Sequence, residues 1–316
     1  MSTPRRLEAT FAHLCPATMD SVAATTMWTF SGFADEAGSS VEEQIDTLLA
    51  AGMTHVDLRG VGDYNITTLP ADEATEAQAK LLAAGISVCM FGSPIGKIDV
   101  TDDIQIDLNK LNHLATLVPI FGTNKVRMFS YHNKTGIPAA DFRVAAVDRV
   151  KQLKEHAAML GLALYHENEK GIFGERLDNT KYLLEELRDG ETFFGIFDFS
   201  NFNQSGDDVW QNWLALRDLT DALHLKESDA DGQHTPVGQG QCAVQQILDD
   251  CVARGWSGPV VLEPHLQNSK AVLATVEGEL GLNANKSLEG LSAGAVWQIA
   301  ALAAKDVMGK AGAPWR

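Results

Sequence analysis

The chain has 316 residues, 45% of them hydrophobic and 21% charged, and its formal net charge at pH 7 is −17. This composition is typical of a folded globular protein and argues against extended disorder. Because the negative charge repels polyanions and no Lys/Arg cluster offsets it locally, we expect no nucleic-acid partner and a mild preference for neutral sugars over sugar phosphates.

The chain also lacks the signals of membrane insertion and of export. No apolar run reaches the roughly 18 residues that a membrane helix needs. Arg5 and Arg6 are not followed by an apolar signal-peptide core, so we expect no membrane partner and a cytoplasmic protein. The four cysteines have no Cys-x-x-Cys spacing, which argues against a disulfide framework or a zinc ribbon. Cys89 lies in an apolar run and is predicted to be a small buried hydrophobe.

Short runs rich in β-branched and aromatic residues alternate along the chain with segments of helical period, a pattern typical of parallel βα units. The predicted strands are Trp28–Ala34, His55–Arg59, Ile86–Phe91, Val126–Tyr131, Leu162–Glu167, Phe194–Phe199, Ala222–Lys226 and Pro259–Glu263. The predicted helices include Val41–Ala51, Ala71–Ala84, Ala139–Leu160, Leu177–Leu187 and Ala243–Arg254. Ser39 and Ser40 predict a capped start for the first helix. Four helices end at a glycine suited to a left-handed C-cap, namely Gly52, Gly85, Gly161 and Gly255.

Eight strand and helix units without a linker-like gap predict fold class α/β, as a (β/α)8 TIM barrel. We expect one domain over residues 26–316, with a C-terminal helical extension that contains a helix over Leu291–Val307 and packs outside the barrel. Residues 1–25 are predicted to form an N-terminal extension. An open doubly wound sheet is the alternative, but no Gly-x-Gly-x-x-Gly turn follows the first strand.

Each of the last four predicted strands ends in an ionisable residue, at the barrel end where active sites form. We call these residues the mouth cluster: Glu167, Asp198, His224 and Glu263. Burying three carboxylates there costs several kcal/mol each unless positive charge compensates them, and Lys226 alone supplies too little. The sequence therefore predicts one divalent metal ion. Oxygen-rich ligation with a single imidazole favours manganese, magnesium or cobalt.

Further polar side chains lie at or just beyond the predicted strand ends, where substrate hydroxyls could bind. They are Arg59, Lys97, Arg127, His132, His166, Glu175, Lys226 and His234. His166 and Lys226 are each close in sequence to a residue of the mouth cluster and are candidates for base, acid or orienting groups. A structural role is the alternative for each of them.

The chain resembles the xylose-isomerase-like TIM barrel superfamily, in particular the sugar phosphate isomerase/epimerase group with its tagatose/psicose 3-epimerases and inosose dehydratases. The resemblance rests on FADE at residues 33–36, GMTHVDLR at 52–59, GSPIGK at 92–97, HENE at 166–169, HLK at 224–226 and LEPH at 262–265, together with Asp198. It implies that the mouth cluster binds the metal and that Glu167 and Glu263 also move protons on opposite sides of the substrate carbon. Glu227 stands where the group often has aspartate, and no arginine shortly follows His224 as in the keto-sugar epimerases.

The resulting hypothesis is a metal-dependent isomerase or epimerase that acts on a sugar, keto-sugar or cyclitol through a metal-stabilised enediolate, with no organic cofactor. The main alternative is a lyase on the same scaffold. It would be inosose dehydratase-like, or would cleave C-glycosides of 3-keto sugars together with a small partner subunit. Otherwise a homodimer is the first expectation. The acidic charge and single imidazole argue against an endonuclease IV-like nuclease, and a non-catalytic binding barrel would lack one of the ligands.

Overall fold

Eight parallel strands form the centre of the molecule in a computed structural model that describes residues 27–267 and 285–316. The predicted N-terminal extension lies outside the described residues. The strands are β1 Thr29–Gly32, β2 His55–Leu58, β3 Ser87–Phe91, β4 Lys125–Met128, β5 Ala163–Glu167, β6 Phe193–Asp198, β7 Ala222–Leu225 and β8 Pro259–Leu262. All eight predicted strands are confirmed, with differences at their ends.

The strands close into a nearly complete barrel. Ladders join them in the order β1, β8, β7, β6, β5, β4, β3, β2. The two ends of this order, β1 and β2, are neighbours, and the Ser31 hydroxyl of β1 donates a hydrogen bond of 2.7 Å to the Asp57 carboxylate of β2. A parallel barrel places all eight carboxyl ends of the strands at one mouth. The predicted TIM barrel is therefore confirmed.

Helices in the described ranges alternate with the strands, and their ends follow local rules. They are α1 Val41–Ala50, α2 Ala71–Ala83, α3 Gln105–Phe121, α4 Ala139–Met159, α5 Leu177–Leu187, α6 Phe199–Gln204, α7 Val209–Leu216, α8 Val244–Ala253 and α9 Ala293–Ala311. Ser40 accepts a hydrogen bond from the Glu43 amide, and the Glu43 carboxylate accepts one from the Ser40 amide, which completes a capping box. The four predicted C-cap glycines all have positive φ, from 61° to 73°.

Helix α9 corresponds to the predicted C-terminal helix and follows β8. It contacts α8 on one side and α1 on the other, so it lies in the outer helical layer rather than beyond it. Its Trp297 indole donates a hydrogen bond of 3.1 Å to the Phe33 carbonyl just after β1. A Cβ atom at Gly32 would lie 3.0 Å from the Trp297 ring, so the glycine permits this close approach.

The last residues of the chain pair with the start of β1. The Trp28 amide donates to the Pro314 carbonyl, the Arg316 amide donates to the Trp28 carbonyl, and the Phe30 amide donates to the Arg316 carbonyl, over 2.6 to 3.1 Å. Strand β1 begins at the end of the barrel opposite the mouth. The chain terminus therefore extends the sheet at the base of the barrel.

The barrel interior changes from apolar to charged along its axis. Met90, Tyr165, Ile196 and Ala222 form a buried apolar cluster inside the ring. Side chains alternate along a strand, so Tyr165 and Glu167 of β5 face the same way, with Glu167 nearer the mouth. Among the residues that the structure describes, Cys89 is buried as predicted, and no helix combines the length and apolar character that crossing a membrane requires.

Candidate metal centre

The four residues of the mouth cluster lie together at the carboxyl ends of β5 to β8. Glu167 and Asp198 end their strands, His224 lies in β7, and Glu263 directly follows β8. The strand register sets Asp198 beside His224. All four side chains are buried, and one ligand atom from each lies within 4.8 Å of the others. Residues that are dozens of positions apart in sequence thus converge because their strands are neighbours in the ring.

The closest contacts in the mouth cluster join its imidazole to two of its carboxylates. His224 Nδ1 lies 3.0 Å from Glu167 Oε1 and 3.2 Å from Glu263 Oε2. Lys226 Nζ lies 3.0 Å from Asp198 Oδ2 and 3.4 Å from Glu263 Oε2. Lys226 is the cation that the sequence predicts at this position.

Arg127 from β4 is a second cation in contact with the mouth cluster. Its Nη1 lies 3.2 Å from Glu167 Oε2 and 3.2 Å from Glu263 Oε1. Glu263 follows Arg127 by 136 positions in sequence. Arg127 and Lys226 thus face three carboxylates, while Arg59, 3.5 Å from Glu263, is shared with Asp35 and Glu36. With the three carboxylates ionised and the imidazole neutral, at least one negative charge is uncompensated.

Three polar atoms of the mouth cluster are buried and make no hydrogen bond of ordinary geometry: Glu167 Oε1, Asp198 Oδ2 and His224 Nε2. Glu167 Oε1 and Asp198 Oδ2 each lie 3.0 Å from a nitrogen, His224 Nδ1 and Lys226 Nζ respectively, so His224 Nε2 is the unsatisfied atom of the three. Buried polar atoms usually have a partner, so unsatisfied ones indicate a missing ion or ligand. Two ligands on opposite sides of an ion with bonds of about 2.0–2.6 Å lie about 4.0–5.2 Å apart, which the spacing in the cluster fits. The donor set, three carboxylates and one imidazole, therefore fits a single divalent cation.

The pKa values in the mouth cluster reflect its crowded negative charge. Burial lowers the pKa of His224, but Glu167 and Glu263 outweigh it and raise that pKa to about 10. Burial raises the pKa of Asp198, with Lys226 opposing it. Burial also raises the pKa of Glu263, but Lys226 and the cations around it reverse the effect and hold that pKa well below its usual value. Without an ion, His224 and Asp198, with pKa values of about 10 and about 8, therefore both hold a proton at neutral pH.

A second group of potential ligands, Glu36, Glu263 and His265, shares one carboxylate with the mouth cluster. Arg59 supplies positive charge next to this group. The guanidinium binds Asp35 through two hydrogen bonds of 2.9 and 2.8 Å and lies 3.4 Å from Glu36 and 3.5 Å from Glu263. The His265 amide also donates to Glu36 over 2.9 Å. Arg59 therefore shares one positive charge among three carboxylates, those of Asp35, Glu36 and Glu263.

Sequence reasoning assigned no role to Glu36 or His265, although both lie in segments quoted for the family resemblance. Each comes just after a strand, Glu36 after β1 and His265 after β8. That position was the available signal, because polar residues after strand ends converge at the mouth of a barrel.

His166 was predicted to contact substrate, and the structure places it elsewhere. Its ring stacks against Phe193 with centroids 6.4 Å apart, and a Cβ atom at Gly174 would lie 2.6 Å from its Cε1. Neither ring nitrogen has a hydrogen bond, and burial lowers its pKa to about 3. The reason is strand alternation: with Glu167 facing the interior, His166 faces the helical layer. We therefore correct its predicted substrate role.

Three other predicted site residues make hydrogen bonds within the loops. Glu175 accepts a hydrogen bond of 3.2 Å from the Ser205 hydroxyl. His132 Nδ1 lies 2.9 Å from the Gly171 carbonyl. His234 is buried, and its ring centroid lies 5.6 Å from that of His265, so it adjoins the second group of ligands rather than the mouth cluster.

A cavity of about 440 Å³ borders the mouth cluster and is lined by the loops after β1, β2 and β3, with Lys110 of α3, Arg127 of β4 and Phe129 just after β4. Arg127 connects the two, because it lines the cavity and contacts Glu167 and Glu263. Lys97, another predicted site residue, lines the same cavity and forms an ion pair of 2.9 Å with Glu169. The cavity volume is in the range of small-molecule sites.

Comparisons with known proteins agree with this architecture. A family model described as a xylose isomerase-like TIM barrel matches residues 45–286. No curated protein matches the chain. A probable 3-DHS dehydratase from Bacillus anthracis superimposes with a TM-score of 0.63 at 19% identity, over 78% of this chain and 96% of that one.

Two epimerases are also similar in structure. D-Psicose 3-epimerase from Clostridium cellulolyticum H10 has a TM-score of 0.65 at 12% identity, over 88% of this chain and 98% of that one. A 3-keto-D-glucoside 4-epimerase from E. coli has a TM-score of 0.58 at 16% identity, over 79% and 96%. At these identities the likeness shows a shared fold.

Proposed function

The chain belongs to the xylose isomerase-like TIM barrel family, and we propose that it is a divalent-metal-dependent enzyme that isomerises or epimerises a sugar, keto-sugar or cyclitol. The observation that carries the proposal is the mouth cluster: four buried side chains from neighbouring strands, with one ligand atom each within 4.8 Å of the others. Among their polar atoms, the buried His224 Nε2 has no hydrogen bond. A fold alone does not assign a reaction, so the proposal rests on these residues.

The four side chains of the mouth cluster would hold the ion, and their oxygen-rich set suits manganese, magnesium or cobalt. The ion would polarise a substrate carbonyl and acidify the neighbouring C–H bond. Binding it would replace the proton on His224, because the neutral imidazole is the form that binds metals. Lys226 and Arg127 would continue to neutralise the remaining carboxylate charge.

Glu167 and Glu263 are the candidates for proton transfer. They flank His224, at 3.0 and 3.2 Å from its Nδ1, and come from strands three places apart in the ring. Burial raises the pKa of Glu167, but His224 outweighs it and lowers that pKa, so both carboxylates are ionised and able to accept a proton. If one carboxylate removes a proton from one face of the substrate and the other returns it on the opposite face, the carbon is epimerised.

Arg127 would hold the carboxylates of Glu167 and Glu263 at a fixed distance from each other. One guanidinium nitrogen lies 3.2 Å from each, so it links them and holds both in their ionised form.

Loss of a substituent from the adjacent carbon after the same proton removal would make the protein a lyase. The products of the reaction distinguish these outcomes.

The test is proton exchange with solvent. The manganese-loaded protein is incubated in D₂O with a panel of keto-sugars and inososes, and mass spectrometry measures deuterium uptake, epimer formation and loss of water. We expect uptake at the carbon next to the carbonyl, reduced by about 10²–10⁴-fold in Glu167→Gln and Glu263→Gln. Glu185→Gln, an exposed change on α5, serves as the matched control.

Two results would contradict the proposed function. The first is no deuterium uptake with any panel member in protein shown by elemental analysis to contain one ion per chain. The second is uptake that survives undiminished in both glutamine variants. Loss of water or of a larger group instead of epimer formation would assign the lyase reaction to the same carboxylates.

A further inference from the structure

The cavity beside the mouth cluster runs from a buried inner end to an exposed rim. At the inner end Arg59 and Arg127 are each 3% exposed and lie 3.5 and 3.2 Å from the carboxylate of Glu263. At the rim Asp63 and Tyr64 are exposed, Tyr64 by 42%. The reacting part of a substrate must approach the mouth cluster at the inner end, so the rim faces the part that does not react.

The cavity is larger than one sugar requires. Its volume is about 440 Å³, whereas a single hexose fills about 200 Å³ at the packing density of protein interiors. A hexose at the inner end would therefore leave room for a second group of about the same size toward the rim. Ligand sites normally bury most of their ligand, so this additional volume indicates a substrate larger than a monosaccharide.

The cations that line the cavity already have carboxylate partners. The pairs are Arg59 with Asp35, Glu36 and Glu263, Arg127 with Glu167 and Glu263, Lys97 with Glu169, and Lys110 with Asp107. A charged ligand group would have to compete with these ion pairs and would also lose its hydration on entering the cavity. A neutral ligand avoids both costs, in agreement with the preference for neutral sugars expected from the net charge.

Neutral side chains complete the lining and suit a sugar ring. Three of them carry a hydroxyl or an amide, and four are apolar or aromatic: Ser39, Asn65 and Thr67, and Tyr64, Pro94, Ile98 and Phe129. A sugar has the matching combination, because its hydroxyl groups lie around the ring and its C–H groups can pack on an aromatic face. Tyr64 is the aromatic residue of the lining that lies at the exposed rim.

The rim is held in place by hydrogen bonds within the protein. Residues 60–65, which we call the rim hairpin, form two short antiparallel segments in which Val61 pairs with Tyr64. The Gly62 amide donates a hydrogen bond of 2.7 Å to the Ser39 carbonyl, which ties the hairpin to the loop after β1. A wall that is already ordered loses little conformational entropy when a ligand binds to it.

We propose that the substrate of the mouth cluster is a neutral glycoside, whose reacting sugar lies at the inner end of the cavity and whose second sugar ring lies at the rim beside Tyr64. The inference rests on the proposed function, since it names the class of its substrate. It assigns the rim hairpin to the part of the substrate that does not react. Binding energy from that part would help to hold the reacting carbon between Glu167 and Glu263.

The test compares the binding of one sugar with the binding of two. Calorimetry measures the affinity of the full-length manganese-loaded protein for D-glucose and for trehalose, maltose, cellobiose and gentiobiose, which join two glucose units through different linkages. We expect at least one disaccharide to bind about tenfold or more tightly than glucose, because its second ring removes further apolar surface from water. The same disaccharide with a carboxylate at C6 of its second ring should bind less tightly than the neutral form.

Two pairs of variants show whether the second ring binds at the rim. Tyr64→Ala should remove the roughly tenfold advantage of the disaccharide, while Tyr64→Phe, which retains the aromatic ring, should keep it. Ser39→Trp places a large side chain at the exposed rim and should also remove the advantage. Ser87→Trp makes the same change at the exposed start of β3, at the opposite end of the barrel, and should not.

The affinity for glucose should be the same in all four variants. No measurable binding of any disaccharide, equal affinity for glucose and for every disaccharide, or tighter binding of the form with a carboxylate would each overturn the proposal. So would a disaccharide advantage that survives Tyr64→Ala or Ser39→Trp.

The outcome is separable from that of the proposed function. A disaccharide advantage that depends on Tyr64, in a protein that exchanges no substrate proton, would leave the assignment of the rim in place and contradict the isomerase. Proton exchange on keto-monosaccharides, without an advantage for any disaccharide, would do the reverse.

Discussion

Replacing Asp198 by asparagine should weaken metal binding about 100-fold or more while leaving the metal-free fold nearly unchanged. Asp198 caps α6 by accepting a hydrogen bond of 2.7 Å from the Asn201 amide, and an asparagine oxygen can accept the same bond. Its other oxygen is buried without a hydrogen bond, 3.0 Å from Lys226 Nζ. Because burial already raises the pKa of Asp198, a neutral side chain suits the metal-free site. We expect the free energy of unfolding without metal to change by less than about 1 kcal/mol.

The metal-dependent part of the stability should change much more. An ion present at about 100 times its Kd stabilises the folded state by about 2.7 kcal/mol. At about 2–4 °C per kcal/mol, that raises Tm by about 5–10 °C. Losing a direct ligand should weaken binding by about 100-fold or more, since loss of groups that only orient ligands costs about 10–100-fold. At the same ion concentration Asp198→Asn would then gain only about 0.4 kcal/mol, or about 1 °C.

The assay compares melting curves with manganese and with chelator for wild type, Asp198→Asn and Asp208→Asn. Asp208 is the matched control because it also caps a helix, α7, through a hydrogen bond from the Gln211 amide, but lies outside the mouth cluster. Its variant should keep the full manganese-dependent rise in Tm. An equal rise in wild type and Asp198→Asn would refute the assignment of Asp198 as a ligand.

Three more predictions concern pH and packing. Burial lowers the pKa of His224, but the neighbouring carboxylates raise it to about 10, and burial raises the pKa of Asp198 to about 8, so manganese must displace protons from both ligands. Calorimetry should find affinity rising about tenfold per pH unit between about pH 8 and 10 and more steeply below pH 8, and a pH-independent affinity would contradict this. Burial raises the pKa of Asp57 to about 6, so ionising Asp57 lowers the free energy of unfolding by about 3 kcal/mol above pH 6 and has no effect below about pH 4. Urea unfolding in chelator should therefore find Asp57→Asn more stable than wild type at pH 8 but not at pH 4. At Gly96, φ is +83° and a Cβ would lie 2.1 Å from the Phe129 carbonyl, so Gly96→Ala should lower the free energy of unfolding by at least about 2 kcal/mol. Gly122→Ala is the control, because φ is also positive there but the space around a Cβ is open, and it should lose only about 1 kcal/mol.

Local rules were sufficient to predict most of the fold. The capping box at Ser40 and the glycine C-caps depend on a few adjacent residues, so the sequence shows them directly. The strand predicted over Val126–Tyr131 ends earlier, at Met128. Beyond that point the Phe129 and Tyr131 amides donate to the carbonyls of Ile95 and Gly96 in another loop. That change of partner depends on tertiary structure, which no short window of sequence contains.

The candidate site was predictable only in part. The mouth cluster was found because each member ends a strand, and a barrel brings strand ends together. The contacts of Arg127 with Glu167 and Glu263 were not predictable, because they depend on how far side chains reach across the ring. The orientation of His166 was predictable, since adjacent residues of a strand face opposite ways. The cavity was not predictable because its lining combines the loops after β1, β2 and β3 with residues of α3 and β4.

The pairing of residues 314–316 with the start of β1 determines where the protein can be attached to a surface. Because these residues lie at the base of the barrel, a biotin linker placed after Arg316 would leave the molecule on the side away from the mouth. Protein immobilised through that linker on a biosensor chip would present its cavity to the flowing solution. The buried thiols of Cys89, Cys242 and Cys251 would be poor alternatives as attachment points.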